Sequence, residues 1–151
     1  MNAVIRPLPP ESLNDCAALE RACFSTPWTR AMLESELTSE YAYYIACELD
    51  GRFAGYAGLQ IILDVGHVTT IAVRQEFRRL GLAVRMMEHL LDTAKTRGLS
   101  EITLEVRESN IAAIGLYQRL GFLRAGLRRF YYQQPTEDAI IMTLYMKAGT
   151  P

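Results

Sequence analysis

The stretch from His67 to Arg107 constrains the fold of this chain more than any other part. It opens with a β-patterned run, HVTTIAV (67–73), and passes through RQEFRRLGLAV (74–84). An amphipathic helix is predicted over 82–97, where Ala83, Met87, Leu90, Leu91 and Ala94 share one face. Gly98 sits where a helix stop is expected, and a second β-patterned run, EITLEVR (101–107), follows. Two such strands joined through a helix require a right-handed crossover, which makes them parallel neighbours. The pattern recurs downstream. Ser109 or Asn110 caps a helix to Leu120, Gly121 ends it, and FLRAGLRRFYY (122–132) is the next strand. Both units are expected to set neighbouring strands parallel.

The rest of the chain reads differently. Residues 2–6 form a short strand, and Pro9 and Pro10 open a helix to about Cys23 with Leu13, Cys16, Leu19 and Cys23 inward. FSTPW (24–28) is a loop, and Thr29 caps a short helix with Met32, Leu33 and Leu37 inward. YAYYIACEL (41–49) and FAGYAGLQIIL (53–63) are strands joined at Asp50-Gly51, a strong hairpin signal. DAIIMTLYM (138–146) is the last strand. The expected order is β-α-α-β-β-β-α-β-α-β-β, an α/β (α+β) domain with a mixed sheet covered by helices. Such sheets bind ligands outside the carboxyl ends of their central strands.

Composition excludes several classes of function. The chain has 151 residues, which fits one domain (1–151), and half of it is hydrophobic, enough for a core. A formal net charge of -1 leaves no broad basic field for a nucleic-acid backbone, so direct nucleic-acid binding is not expected. No apolar run approaches the roughly 20 residues of a membrane span. The first residues lack a signal-peptide layout, so a cytoplasmic location is expected. Cys16, Cys23 and Cys47 are odd in number and form no C-x-x-C pair; with only His67 and His89 besides, neither a disulfide framework nor a metal site is expected.

Two segments carry chemistry. Gly81 allows a tight turn after a strand, Ala83 permits close approach, and the following helix N-terminus offers free amides and positive dipole character, with Arg78 and Arg79 beside it. This suits a pyrophosphate; an ordinary strand–helix turn with two solvated arginines is the plain alternative. It is neither a Walker loop nor a dinucleotide fingerprint. In EITLEVR, Thr103, Glu105 and Arg107 face away from Ile102, Leu104 and Val106. A carboxylate in a central strand must be paired or face a wet cleft. Glu105 is thus either part of a salt bridge with Arg107 or with another arginine across strands, or a general base with a pKa raised by partial burial. Tyr117 is either core packing or a second site group. RRFYY (128–132) fits strand packing, a peptide-binding wall or RNA stacking. Trp28 is a hydrophobic plug or part of a substrate wall. Neither histidine is assigned a role.

R-x-x-G-x-A at Arg78–Ala83, with LEVRESN (104–110), the following LY and LGF, FSTPW, IAV, RRFYY and EDAIIM (137–142), resembles the GNAT superfamily of N-acetyltransferases over essentially the whole chain. Within it these segments are similar to the RimI branch, which acetylates protein N-termini; Ala83 departs from the commoner glycine. The resemblance implies a GNAT-type mixed, mostly antiparallel sheet with a parallel pair at its centre. It implies acetyl-CoA as co-substrate, with no metal. The backbone of Ile71, Ala72 and Val73 would bond the pantetheine arm. The amides of Arg79, Leu80, Gly81, Leu82, Ala83 and Val84 would cradle the pyrophosphate, with Arg78 nearby, and Asn110 would contact the cofactor. Glu105 would accept a proton and Tyr117 donate one. Phe24, Pro27 and Trp28 would form one wall of a peptide site, Tyr131 and Tyr132 the other. The implied partner is the N-terminal α-amine of a protein, in this branch a small-subunit ribosomal protein, and the enzyme would be a monomer or weak homodimer. Transfer to a small-molecule amine or a lysine side chain, and a silent CoA-binding domain, stand as alternatives; RRFYY and EDA speak against the first, and Glu105 with Tyr117 against the last.

Overall fold

The computed structural model describes residues 2–146, so both ends of the expected domain 1–151 lie outside the described residues. In chain order the elements are β1 (Ala3–Pro7), α1 (Leu13–Cys23), α2 (Arg30–Leu37), β2 (Ala42–Leu49), β3 (Arg52–Ile62), β4 (Val65–Val73), α3 (Leu82–Thr96), β5 (Glu101–Arg107), α4 (Ile111–Arg119), β6 (Leu123–Tyr132) and β7 (Glu137–Tyr145), with short 3-10 turns at Pro10–Ser12 and Gln75–Phe77. The element order is the one read from the sequence. Asp50 and Gly51 take φ of 50° and 81°, the two positive values that a tight two-residue hairpin needs.

One sheet runs β1-β2-β3-β4-β5-β7-β6. Every neighbouring pair is antiparallel except β4 with β5. The first predicted crossover therefore gives a parallel pair. The second does not give neighbours, which corrects the sequence reading. Strand β7 returns as the hairpin partner of β6 and takes the place beside β5 with its other edge, so β5 and β6 run the same way with β7 between them. Either order keeps the β6–β7 hairpin; the one observed puts the largely buried β7 inside the sheet and leaves the exposed β6 at its edge.

The sheet buries both faces. Along β2, Ile45 and Cys47 join one apolar cluster with Met86, Met87 and Leu90 of α3, while Tyr44 and Ala46 join another with Leu13, Cys16 and Leu19 of α1 and Leu33 of α2. This is the period-2 alternation of a strand sandwiched between helices. The inward face of α3 is Leu82, Met86, Met87, Leu90 and Ala94; Ala83 and Leu91, predicted on it, lie half-buried at its margins. In α2 the buried stripe is narrower than expected: Leu33 is buried and Leu37 half-buried, but Met32 is 48% exposed because it points one-third of a turn away. Cys23, expected inward, is half-buried at the end of α1, where Glu20 is the enclosed residue. The three cysteines are free.

The parallel pair is short. β4 and β5 pair only at Val65↔Glu101, Gly66↔Ile102 and His67↔Thr103. β4 continues against β3 as far as Val73, and β5 continues against β7 as far as Arg107. The two strands thus part company after His67, and a wedge opens between their carboxyl ends.

Candidate active site

One side of the wedge is built from backbone. Past His67, the edge of β4 that faces β5 carries Val68–Val73 without a strand partner among the described residues. Peptide groups along such an edge can be met by an extended ligand in the manner of an added strand. Ile71, Ala72 and Val73 lie on this edge. At its end the chain turns through Arg79 (φ 64°) and Gly81 (φ 78°) into α3. A Cβ on Gly81 would meet nothing within 4 Å, so glycine is required there by backbone conformation and not by crowding. The N-termini of α2 and α4 are capped by side chains: Thr29 Oγ1 accepts from the Met32 amide and Asn110 Oδ1 from the Ala113 amide. Helix α3 has only Gly81 at that position, so no side chain takes up its first amides. An uncapped helix start beside an unpaired strand edge fits a pyrophosphate with an extended arm.

The flanking side chains have other employment. Leu82 is buried in the core and can offer only its amide; Leu80 is 40% exposed. The Arg78 guanidinium donates to the Val73 carbonyl (3.2 Å) and reaches Cys23 Sγ (3.4 Å), which ties the strand end to the end of α1. The side-chain oxygen of Asn110 is engaged in its cap, leaving its NH2 group for a further contact.

A cavity of about 660 Å³ fills the wedge and brings together His67, Glu105, Asn110, Tyr117, Tyr131 and Trp28. Glu105 projects into it from β5. The alternative of an arginine salt bridge is not what the structure shows: its partner is His67 on β4, whose Nε2 lies 2.9 and 3.1 Å from the two carboxylate oxygens. An ionised carboxylate only accepts, so the imidazole N–H donates. Burial pushes the Glu105 carboxyl up, but the hydrogen bond and charge of His67, a hydrogen bond from Tyr131 and the charge of Arg128 outweigh it and hold the group below its ordinary value. The expected upward shift is thereby corrected; opposing neighbours win over desolvation. Tyr117 is buried in the core cluster against Phe122 and lines the cavity, so its two readings are compatible. Burial pushes its phenol up to about 12, which keeps it protonated at any working pH.

Side chains build the opposite walls. Glu20 of α1, 1% exposed, accepts from the Trp28 amide (2.9 Å), the Thr70 hydroxyl (3.0 Å) and the Tyr56 hydroxyl (2.5 Å). It thereby fixes the FSTPW loop over the sheet. Phe24 and Trp28 line the cavity, and Trp28 also packs on the second core cluster; Pro27 does not reach the cavity lining. Arg107 donates to Ser25 Oγ (3.1 Å), the Gln133 carbonyl (2.9 Å), the Pro135 carbonyl (3.0 Å) and Glu137 (3.1 Å). It lies over the Tyr132 ring at 4.5 Å, and Tyr132 meets Tyr131 edge-on. One side chain therefore joins the α1–α2 loop to the β6–β7 loop. Phe130, in the same aromatic run, is 65% exposed and lies outside the cavity lining.

Glu20, His67 and Arg107 were not singled out from the sequence. Glu20 had a readable signal: it falls four residues after Cys16 on the inward face of α1, where a carboxylate needs partners. Strand alternation puts Arg107 on the face of Glu105 but does not name its partners, and only the strand register brings His67 to that face. Among the described residues no group of His, Cys, Asp and Glu could hold a metal ion, and no helix is long and apolar enough to cross a membrane.

The sequence profile of the Acetyltransferase (GNAT) family matches residues 13–122. A [ribosomal protein bS18]-alanine N-acetyltransferase of Salmonella typhimurium is 41% identical over 128 residues, covering 83% of this chain and 86% of that protein. The N-alpha-acetyltransferase RimI of Mycobacterium tuberculosis is 38% identical over 133 residues, covering 84% and 82%. The crystal structure of the ribosomal-protein-S18-alanine N-acetyltransferase from Escherichia coli superposes with a TM-score of 0.90 at 34% identity, over 99% of each chain.

Proposed function

The chain belongs to the acetyltransferase (GNAT) family, and from that premise we propose that its target is the N-terminal α-amine of the small-subunit ribosomal protein bS18, within one catalytic domain acting in the cytoplasm. It is an acetyl-CoA-dependent N-alpha-acetyltransferase of the RimI kind. The observation that carries the reading of the site is the wedge itself: an unpaired strand edge and an uncapped helix start on one side, Glu105 and Tyr117 in the middle, and aromatic side chains on the other.

Acetyl-CoA supplies the thioester carbonyl that the amine attacks. The chain supplies proton management and position. A free α-amine, with a pKa of roughly 7.7–8.0, is mostly ammonium at neutral pH and must lose a proton first. Glu105, ionised and facing the cavity, is read as the acceptor, directly or through one water. Tyr117 stays protonated and is read as the O–H donor toward the departing sulfur. No covalent enzyme intermediate is needed, and much of the rate comes from holding both reactants together. Ile71–Val73 and the amides of 79–84 are read as the cofactor cradle, with Asn110 beside it. Phe24, Trp28, Tyr131 and Tyr132 are read as walls that admit an extended chain end. Incubating the enzyme with acetyl-CoA and a peptide copy of the bS18 N-terminus, free or Nα-blocked but retaining lysines, tests this. Mass spectrometry should place the acetyl group on the α-amine and find the blocked peptide inert; equal acetylation of both would make it a lysine acetyltransferase.

A further inference from the structure

His67 stands at the last paired position of the parallel strands, where β4 and β5 begin to separate, and its imidazole spans both oxygens of Glu105. Exposure differs across the pair: the His67 side chain is 36% exposed and that of Glu105 only 8%. The carboxylate is enclosed and the imidazole is in contact with solvent. We propose that His67 is the proton relay of this acetyltransferase, receiving the substrate's proton from Glu105 and passing it to water. The inference rests on the reading of Glu105 as the first proton acceptor.

The chemistry favours a second acceptor. A carboxylate, ordinarily near 4.3, lies more than about three pK units below an α-amine, whereas an imidazole, ordinarily near 6.5, lies within about 1.5. Glu105 is held lower still by its neighbours, so a proton resting on it is poorly kept. The other groups around the pair are Tyr131 and Arg128 of β6; on β3 the register partner of His67 is Gln60, which is bonded to Glu36 of α2. Beside the ionised carboxylate Nε2 carries the ring proton and donates; once Glu105 has taken up the substrate's proton, the solvent-exposed ring exchanges to the tautomer with its proton on Nδ1, and the Nε2 lone pair then faces the Glu105 O–H. One N–H bond of the ammonium breaks and an O–H bond forms on Glu105. That O–H bond then breaks as an N–H bond forms at Nε2, leaving an imidazolium beside an ionised carboxylate. The imidazolium releases one proton to water, and nothing is oxidised or reduced.

The test is the single-turnover rate against pH for wild type, His67→Gln and Glu105→Gln, with acetyl-CoA affinity measured by calorimetry. Glutamine at 67 keeps a donor toward Glu105 but takes no proton. His67→Gln is expected to lower the rate at least about tenfold and to move the acid limb of the profile to lower pH, with acetyl-CoA affinity unchanged. A wild-type rate and profile in His67→Gln would overturn the relay. A lower rate with an unmoved limb would also overturn it, leaving His67 as a support for the Glu105 rotamer. If Glu105→Gln is slow and His67→Gln is not, only the relay falls; if Glu105→Gln keeps the wild-type rate, the reading of Glu105 falls and the relay with it. Should His67→Gln fail to bind acetyl-CoA, His67→Asn serves the same comparison.

Discussion

The two sides of the wedge are made of different materials. On the proposed cofactor side the available groups are peptide N–H and C=O groups of β4 and the start of α3, set by a three-residue strand pairing and one left-handed glycine. On the proposed peptide side they are side chains, held by two networks centred on Glu20 and Arg107. A backbone site depends on chain geometry and tolerates changes of side chain. A side-chain site depends on particular identities and on the partners that hold them. The first can recognise the same cofactor in many sequences; the second can be altered to suit a target.

The contrast can be broken at the position where the backbone side does depend on residue type. Gly81→Val forces a β-branched residue into φ 78°; the left-handed region costs an ordinary residue about 1–2 kcal/mol, and relaxation out of it would turn the α3 amides away. Acetyl-CoA affinity by calorimetry should fall at least ~100-fold, about 2.7 kcal/mol, while circular dichroism remains that of a folded domain. Unchanged affinity would remove the basis for the pyrophosphate site. A smaller effect is expected on the other side from Glu20→Gln, which puts an NH2 group among donors. Losing acceptors for enclosed hydroxyls costs about 1–3 kcal/mol, readable as a lower denaturant midpoint, with acetyl-CoA affinity retained in the folded protein. Arg107→Met loosens the tie between the α1–α2 and β6–β7 loops, leaving the Ser25 hydroxyl on the Gln133 carbonyl (2.9 Å). KM for the peptide should rise about tenfold, near 1.4 kcal/mol, with little change toward acetyl-CoA. The smallest effect sharpens the comparison. Leu80→Ala removes an exposed side chain from the cradle and should shift stability by less than about 0.5 kcal/mol, with cofactor affinity hardly changed.

The same difference decides what could be read from the sequence. Gly81, the α3 pattern and the Asp50-Gly51 hairpin are local signals, and each fell where periodicity and turn chemistry put it. The placement of β7 between β5 and β6 was not legible, because a crossover rule fixes handedness and does not say which strand of a following hairpin lies inside the sheet. Glu105 was legible as a carboxylate in need of a partner, but the partner was not: His67 lies 38 residues away and meets it through the β4–β5 register. The direction of its pKa shift was misread for the same reason, since burial is suggested by a strand pattern while opposing neighbours are not. Arg107 shows the limit most clearly. Its four partners come from three segments that only the folded chain brings together.

In the proposed mechanism the two sides meet at an acid–base pair, Glu105 and Tyr117, which carries the chemistry and leaves cofactor binding to the backbone. Glu105→Gln and Tyr117→Phe preserve size, so turnover and acetyl-CoA affinity measured together separate the two roles. The account predicts that kcat on a good peptide falls by about 10²–10⁴ in each while calorimetric affinity for acetyl-CoA stays within error. The Glu105→Gln loss should shrink as pH rises through the amine pKa, because the substrate then arrives already neutral; the Tyr117→Phe loss should not, because its proton is directed at the sulfur. Wild-type turnover in both variants would contradict the account and leave positioning and water to carry the reaction.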